Sequence, residues 1–435
     1  MENYALKDDP KVIRAWCFYD WANSVYNLII NTAIFPIYYA SVTRLKFGSD
    51  TIQVLGFSVS NSVAYTYALS LSYFLIVFFS LVLSGLADYS GRKRLFMKIF
   101  TYLGAFSCMM LYFFEGQNIE WGLFFVILAS VGYAGSLVFY NAFLPEIVSI
   151  NQLDVVSAKG FSYGYFGSLI LLIINLIMVI KPDLLGLVDA SQASKISFLM
   201  VGVWWVSFAQ ITFKALKPYE KPIPIKAFMF KEGIKEWLKT LKNVLASKNL
   251  TRFLVGFFFL SMGVQTVVLL ASLFGEKEVK MESTELIIVI IIVQLVAMLG
   301  AWLFSKISQW KNTQLSILLT LVLWFFLCFR AYFVQEKLSF FALAGLLGLI
   351  MGGIQSQSRS LYSKLLPENS KDNASYFSFY DILEKMAIVL GTFSYATVEN
   401  FTNSLRNSML VMSIFFLLSF LFIIRIKVTK QLFAE

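Results

Sequence analysis

Long apolar stretches alternate with short polar breaks from one end of the chain to the other. Twelve such stretches stand out, at about 15–42, 61–87, 94–114, 119–142, 158–180, 195–215, 253–275, 285–305, 313–334, 338–360, 376–398 and 407–425. A membrane-spanning helix takes about 20 apolar residues, so each stretch is long enough to cross a bilayer. The pattern predicts an all-α membrane protein with twelve transmembrane helices.

Composition supports that prediction and removes its rivals. At 435 residues the length alone suits two or three soluble domains. With 58% apolar and 14% charged residues, against roughly half and a quarter in soluble domains, a water-facing globule has too little polar surface. The net charge of +10 is a matter of topology. Of the 36 Lys and Arg, 26 fall on the side of the two termini, nine on the other side, and Lys385 lies inside a span. The positive-inside rule then puts both termini in the cytoplasm and makes nucleic acid an improbable partner. Cys17, Cys108 and Cys328 all sit in apolar runs, so no disulfide framework is implied. The lack of histidine removes the commonest metal ligand, and no cofactor is expected. The first residues do not read as a signal peptide. Short loops without a targeting segment favour a bacterial inner (plasma) membrane over a vacuole.

The longest break lies midway. Residues 214–252 hold ten Lys and Arg against three Glu, and Pro218, Pro222 and Pro224 open the break as an extended linker. Phe230, Ile234, Trp237, Leu238, Leu241 and Leu245 then recur at helical steps, with Lys231, Lys235, Lys239 and Lys242 on other faces. That is an amphipathic helix suited to the lipid interface. The expected units are therefore residues 1–216, a six-helix bundle, 217–249, the linker, and 250–435, a second bundle. Phe143-Leu-Pro-Glu146 after the fourth span and Leu365-Leu-Pro-Glu368 after the tenth are each followed by a similar entry, FSYGY and FSFYD. Two parallel six-span pseudo-repeats are the mark of the major facilitator fold.

Between the second and third spans runs Gly85-Leu-Ala-Asp-Tyr-Ser-Gly-Arg-Lys-Arg94. Gly85 permits close helix approach, Gly91 a tight turn, and Asp88 is near enough in sequence to pair with Arg92. The pattern resembles the conserved-loop motif of the major facilitator superfamily. There it latches the two halves on the cytoplasmic side, with the Asp near a helix N-terminus of the other half. The corresponding stretch around Lys306 and Lys311 lacks the pattern, so a single latch is expected.

Three further blocks carry a narrower resemblance: Ala15-Trp-Cys-Phe-Tyr-Asp-Trp-Ala-Asn-Ser24, Val138-Phe-Tyr-Asn-Ala-Phe-Leu-Pro-Glu-Ile147 and Gly352-Gly-Ile-Gln-Ser-Gln-Ser-Arg-Ser360. They are similar to blocks of the vacuole effluxer family, which includes the autophagy-related vacuolar amino-acid exporter of yeast and many bacterial permeases. The resemblance runs the length of the chain. It implies a secondary transporter with amino acids as the leading substrate class.

Polar residues within spans are costly and point to a cavity or a partner. Asp20, Asn23, Ser24, Asn27 and Asn31 form a stripe on the first span. On the eleventh, Asp381 and Lys385 are spaced for an ion pair, whereas Glu384 points about 100° away from Lys385 and is expected to stay unpaired. Glu384 and Asp20 are then the leading candidates for proton coupling, with sodium coupling as an alternative. Tyr133, Gln265 and Gln294 lie near mid-span, and Gln355 and Gln357 lie toward one end of the tenth. A zwitterionic amino acid needs an anion, a cation and neutral hydrogen-bonding groups in one dry site, and this set contains them. Interhelical hydrogen bonding is the structural alternative for each residue. The reading is a multi-pass permease, working as a monomer by alternating access, that exports amino acids or similar small molecules. An exporter of amphipathic compounds such as drugs or siderophores, and a non-transporting receptor or scaffold, are the alternatives. No metal-ligand cluster, nucleophile elbow or phosphate-binding loop suggests an enzyme.

Overall fold

The computed structural model describes residues 7–216, 223–226, 228–368 and 370–427. The first span is interrupted. Asp9 caps α1, Pro10–Val25, with Pro10 in its first turn; a π-helical segment, Tyr26–Ala33, follows, and then α2, Phe35–Phe47. A short hairpin pairs β1, Thr51–Val54, with β2, Phe57–Ser60, antiparallel, with Thr51 opposite Ser60. Hydropathy did not predict this hairpin, because two four-residue strands carry no periodic signal of their own.

Helices α3, Asn61–Ser90, α4, Lys93–Met110, α5, Ile119–Ile147, α6, Leu153–Ile180, and α7, Ala190–Ala215, complete the first six spans. The second six are α9, Lys248–Val279, α10, Ser283–Trp310, α11, Thr313–Phe333, α12, Lys337–Leu365, α13, Asn373–Thr402, and α14, Leu405–Ile423. Among the described residues, eleven of these helical stretches are long and apolar enough to cross a membrane. The remaining one is α13, which at 30 residues has the length but also carries Asp381, Glu384, Lys385 and Glu399. It packs against α3, α5, α9 and α14, so Asp381 and Lys385 are buried within protein.

Within the first set, α1 lies on α6 and α7, and α4 on α5 and α7; within the second, α10 lies on α12, and α9 on α13 and α14. Across the seam, α6 meets α10 and α12, while α13 meets α3 and α5.

The predicted amphipathic helix is α8, Met229–Ala246. Its buried positions are Met229, Gly233, Trp237, Thr240 and Val244, whereas Phe230, Ile234, Leu238 and Leu245 of the predicted apolar row are exposed. The reason is steric. Gly233 sits backbone to backbone on Gly85 of α3, an approach that any side chain at either position would block. Trp237 Nε1 also donates to Ser378 Oγ on α13 at 2.9 Å. The helix thus docks on both sets of spans and leaves its apolar and lysine rows outward. Of the linker prolines, Pro218 and Pro222 lie outside the described residues, and Pro224 belongs to a stretch without regular structure.

Candidate substrate cavity and the contacts that close it

A cavity of about 250 Å3 lies between the two sets of spans. It gathers Asp20, Asn27, Asn31, Tyr133, Gln265, Gln294, Gln355, Asp381, Glu384 and Lys385, all singled out by the sequence. Asn23 and Gln357 are the exceptions. Both are buried among helices off the cavity, and Ser24 stands in for Asn23 in the line 20, 24, 27, 31. The π-helical turn holds Asn27 and Asn31 on the cavity, where Asn31 Nδ2 donates to Asn27 Oδ1 at 3.2 Å. Single π turns in α-helices are frequent at functional sites.

The charges of α13 differ from expectation. Glu384 is not unpaired: Lys385 Nζ lies 2.7 Å from Glu384 Oε2 and 3.2 Å from Asp381 Oδ1. The long lysine stem bends back to reach a neighbour that the helical angle alone would exclude. Gln265 Nε2 donates to the other Glu384 oxygen at 2.9 Å. Asp381 Oδ2 is buried and has no hydrogen-bond partner among the described residues.

At the end of the cavity nearer the chain termini, Asp20 meets Arg359 of α12. Both guanidinium Nη atoms lie 3.2 Å from Asp20 Oδ2, and Tyr140 OH donates to the same oxygen at 2.8 Å. Beyond this pair, contacts between the two sets of spans close that end in a layer. Asp88 accepts from the backbone N–H groups of Ala374 and Ser375 at 3.1 and 2.7 Å, at the N-terminus of α13. Glu146 pairs with Lys93 and accepts from Asn373 at 2.9 Å. Asp154 of α6 accepts from Ser308 at 2.6 Å, from Thr313 at 2.9 Å and from Ser360, and pairs with Lys364 at 2.6 Å. Asn27 and Thr32, toward the other end, are exposed, so the cavity opens away from the termini.

Two expectations for the latch change. The partner of Asp88 within the motif is Lys93, at 3.3 Å, while Arg92 donates to the Ile223 carbonyl of the linker at 2.7 Å. Gly91, in the left-handed region at φ +66°, reverses the chain so that Lys93, the first residue of α4, reaches back to Asp88. The second change concerns the stretch around Lys306 and Lys311. It lacks the motif, yet Ser308 and Thr313 there form the receptor for Asp154, so the carboxylate comes from the other set of spans.

The family model for vacuole effluxer Atg22-like proteins matches residues 8–433. The chain belongs to that family. The major facilitator transporter YxiO of Bacillus subtilis, itself uncharacterised, is 29% identical over 417 residues, covering 95% of this chain and 94% of YxiO. Autophagy-related protein 22 of Saccharomyces cerevisiae is 22% identical over 484 residues, covering 93% of this chain and 89% of the yeast protein. Among solved structures, the major facilitator transporter FucP in its outward conformation superposes with a TM-score of 0.70 at 14% identity, covering 97% and 99% of the two chains. A bacterial homologue of the iron transporter ferroportin, outward-facing, reaches 0.68 at 12% identity, covering 97% and 99%. These likenesses establish the major facilitator fold. The chain is thus an Atg22-like transporter of that superfamily.

Sequence reasoning missed Arg359, Tyr140 and Asp154 in this Atg22-like chain. Arg359 and Tyr140 both lie inside blocks that carried the family resemblance, which was the one signal available. Asp154 follows Leu-Pro-Glu146 in a short polar stretch between two spans and offered no signal.

Proposed function

We propose that this protein exports amino acids or similar small metabolites by alternating access, with protons as the coupling ion. The observation that carries the reading is a cavity holding both signs of charge and several carboxamides, lined by both sets of spans and sealed at one end. Residues 1–216 and 250–435 act as the two rocking halves, and 217–249 joins them. The distribution of Lys and Arg supports cytoplasmic termini, which makes the sealed end the cytoplasmic one, and the bacterial relative supports a plasma-membrane location. Asp88, on the N-terminus of α13 with Lys93 beside it after the Gly91 turn, serves as the latch at that end, while Gly85 seats α8 and Arg92 holds the linker. A carboxylate on a helix N-terminus is favourable and is lost when the halves separate.

Substrate contacts are assigned to Asn27, Asn31, Tyr133, Gln265, Gln294 and Gln355, and coupling to Asp20 and the Asp381–Glu384–Lys385 cluster. An exporter of amphipathic compounds is the second reading. It is favoured by the aromatic lining that Tyr26, Tyr73, Phe161, Phe257 and Tyr380 give the cavity.

Counterflow in proteoliposomes loaded with an amino-acid mixture tests the proposal. Accumulation of labelled amino acids above empty vesicles is expected. Folded protein that moves none of them would overturn the amino-acid reading and leave the amphipathic one.

A further inference from the structure

The Asp20–Arg359 pair differs from the other cavity charges because its members belong to opposite sets of spans. All five N–H groups of Arg359 are engaged, and every acceptor sits on the first set. Asp20 Oδ2 receives two, Asn141 Oδ1 one at 3.2 Å, Ser157 Oγ one at 3.0 Å and the Ser157 carbonyl one at 2.9 Å. The rings of Trp16, Tyr140 and Phe161 flank the guanidinium at 4.8, 5.6 and 4.2 Å. Gly160 makes the room. A Cβ there would lie 2.6 Å from Asp20 Oδ2 and 2.9 Å from Arg359 Nη2. α1, α5 and α6 thus build a socket for a guanidinium that α12 delivers.

Opening the sealed end moves α12 away from α1, α5 and α6, so Arg359 must leave the socket. Two buried charges then lose their counter-ions, which is strongly unfavourable unless something replaces both. A solute with a carboxylate and an ammonium on one carbon replaces both. We propose that Asp20 and Arg359 are the two poles of a zwitterion site, masked in this conformation by their pairing with each other. Arg359 receives the carboxylate and Asp20 the ammonium when the end nearer the termini is open. This rests on the alternating-access reading above and names the site within it.

Two consequences follow from the masking. Substrate bound from the end nearer the termini is displaced toward the opposite side when the pair re-forms, so the site binds more weakly when it is open to that side. The empty carrier opens that end only by stranding both charges, so exchange outruns net flux. The Asp381–Glu384–Lys385 cluster has no such property, because its members ride on one helix and keep their pairing in either conformation. Phe161, Tyr165 and Tyr380 line the cavity beside the poles and suit an apolar or aromatic side chain.

The test uses phenylalanine with two analogues that each keep one pole, phenethylamine and phenylpropionate, as competitors of phenylalanine counterflow. In the wild type each analogue should compete about a hundredfold less well than phenylalanine, the scale for losing one partner of a buried charge contact. In Asp20→Asn the advantage of phenylalanine over phenylpropionate should vanish. In Arg359→Gln its advantage over phenethylamine should vanish. The wild-type comparison needs no variant, so a folding failure in either substitution leaves the proposal testable.

A second, substrate-free readout is maleimide labelling of a cysteine introduced at Ser363, which lines the sealed end while the native cysteines are buried. Labelling should rise severalfold in both variants. Analogues that compete as well as phenylalanine, or variants that discriminate as the wild type does, would overturn the zwitterion site while amino-acid counterflow stood. Wild-type protein that moves no amino acid would overturn the transport reading itself. If the variants still label faster in that case, the pair is a lock and not a receptor.

Discussion

Two charged clusters share one cavity and differ in what holds them. Asp381, Glu384 and Lys385 are neighbours on α13, and their pairing is written into one turn of helix. Asp20 and Arg359 are 339 positions apart and meet only because α12 packs on α6 across the seam and α6 lies on α1. The relative motion of the two sets proposed above would leave the first cluster intact and dissolve the second. Burial and charge alone therefore do not mark a switch. A switch needs its partners on bodies that move apart, and the Asp154 socket and the Asp88 helix cap meet that condition as well.

Removing the shared cation puts this contrast under the greatest load. Lys385→Met leaves two carboxylates facing each other with no counter-ion, and a loss of about 5 kcal/mol in unfolding free energy is expected. Labelling of the sealed end should not change, and a rise would show that the α13 cluster also spans a moving boundary. Arg359→Gln strands Asp20 and should cost the closed conformation about 3 kcal/mol, read as faster labelling at Ser363. Gly160→Ala drives a methyl group between Asp20 and Arg359 without altering any charge. Overpacking of this kind costs about 1–3 kcal/mol, and the same labelling should rise by a smaller factor. Unchanged labelling would mean that the socket has slack that the close approach at Gly160 denies. Asp88→Asn keeps the size of the side chain, but it removes the charge and turns one accepting oxygen into a donor facing an N–H of α13, for about 2 kcal/mol. Its effect should shrink when Lys93→Met is already present, because the two side chains share the 3.3 Å contact; a double-mutant cycle reads that coupling.

Much of the fold and part of the site are legible in the chain itself. Asp20, Asn27, Asn31, Gln265, Gln294 and Glu384 are visible as polar positions in apolar runs, because hydrocarbon penalises them and so makes each one informative. They do line one cavity. The motif from Gly85 to Arg94 brings Asp88 to the N-terminus of α13, but its partner within the motif is Lys93 because a left-handed glycine turns the chain. Asn23 fits the helical stripe and still falls off the cavity, since three-residue steps drift around a helix and the span changes to π geometry just beyond. The lysine-rich helix stands where its periodicity predicts, but with a different face buried, because a glycine-on-glycine contact outweighs its hydropathy row.

The number and order of the spans, the pseudo-repeat, the basic surface near the termini and the family thus follow from the sequence alone. Each depends on local chemistry, on runs of side chains that must meet lipid or water whatever their neighbours are. Tertiary packing was needed to decide that Arg359 fills a socket on α1, α5 and α6, that Asp154 is received by Ser308, Thr313 and Lys364, and that Lys385 holds two acids at once. Those pairings depend on how helices rotate and approach one another. A charged side chain meets a counter-ion hundreds of residues away only once the packing of glycines and aromatic rings has set that rotation.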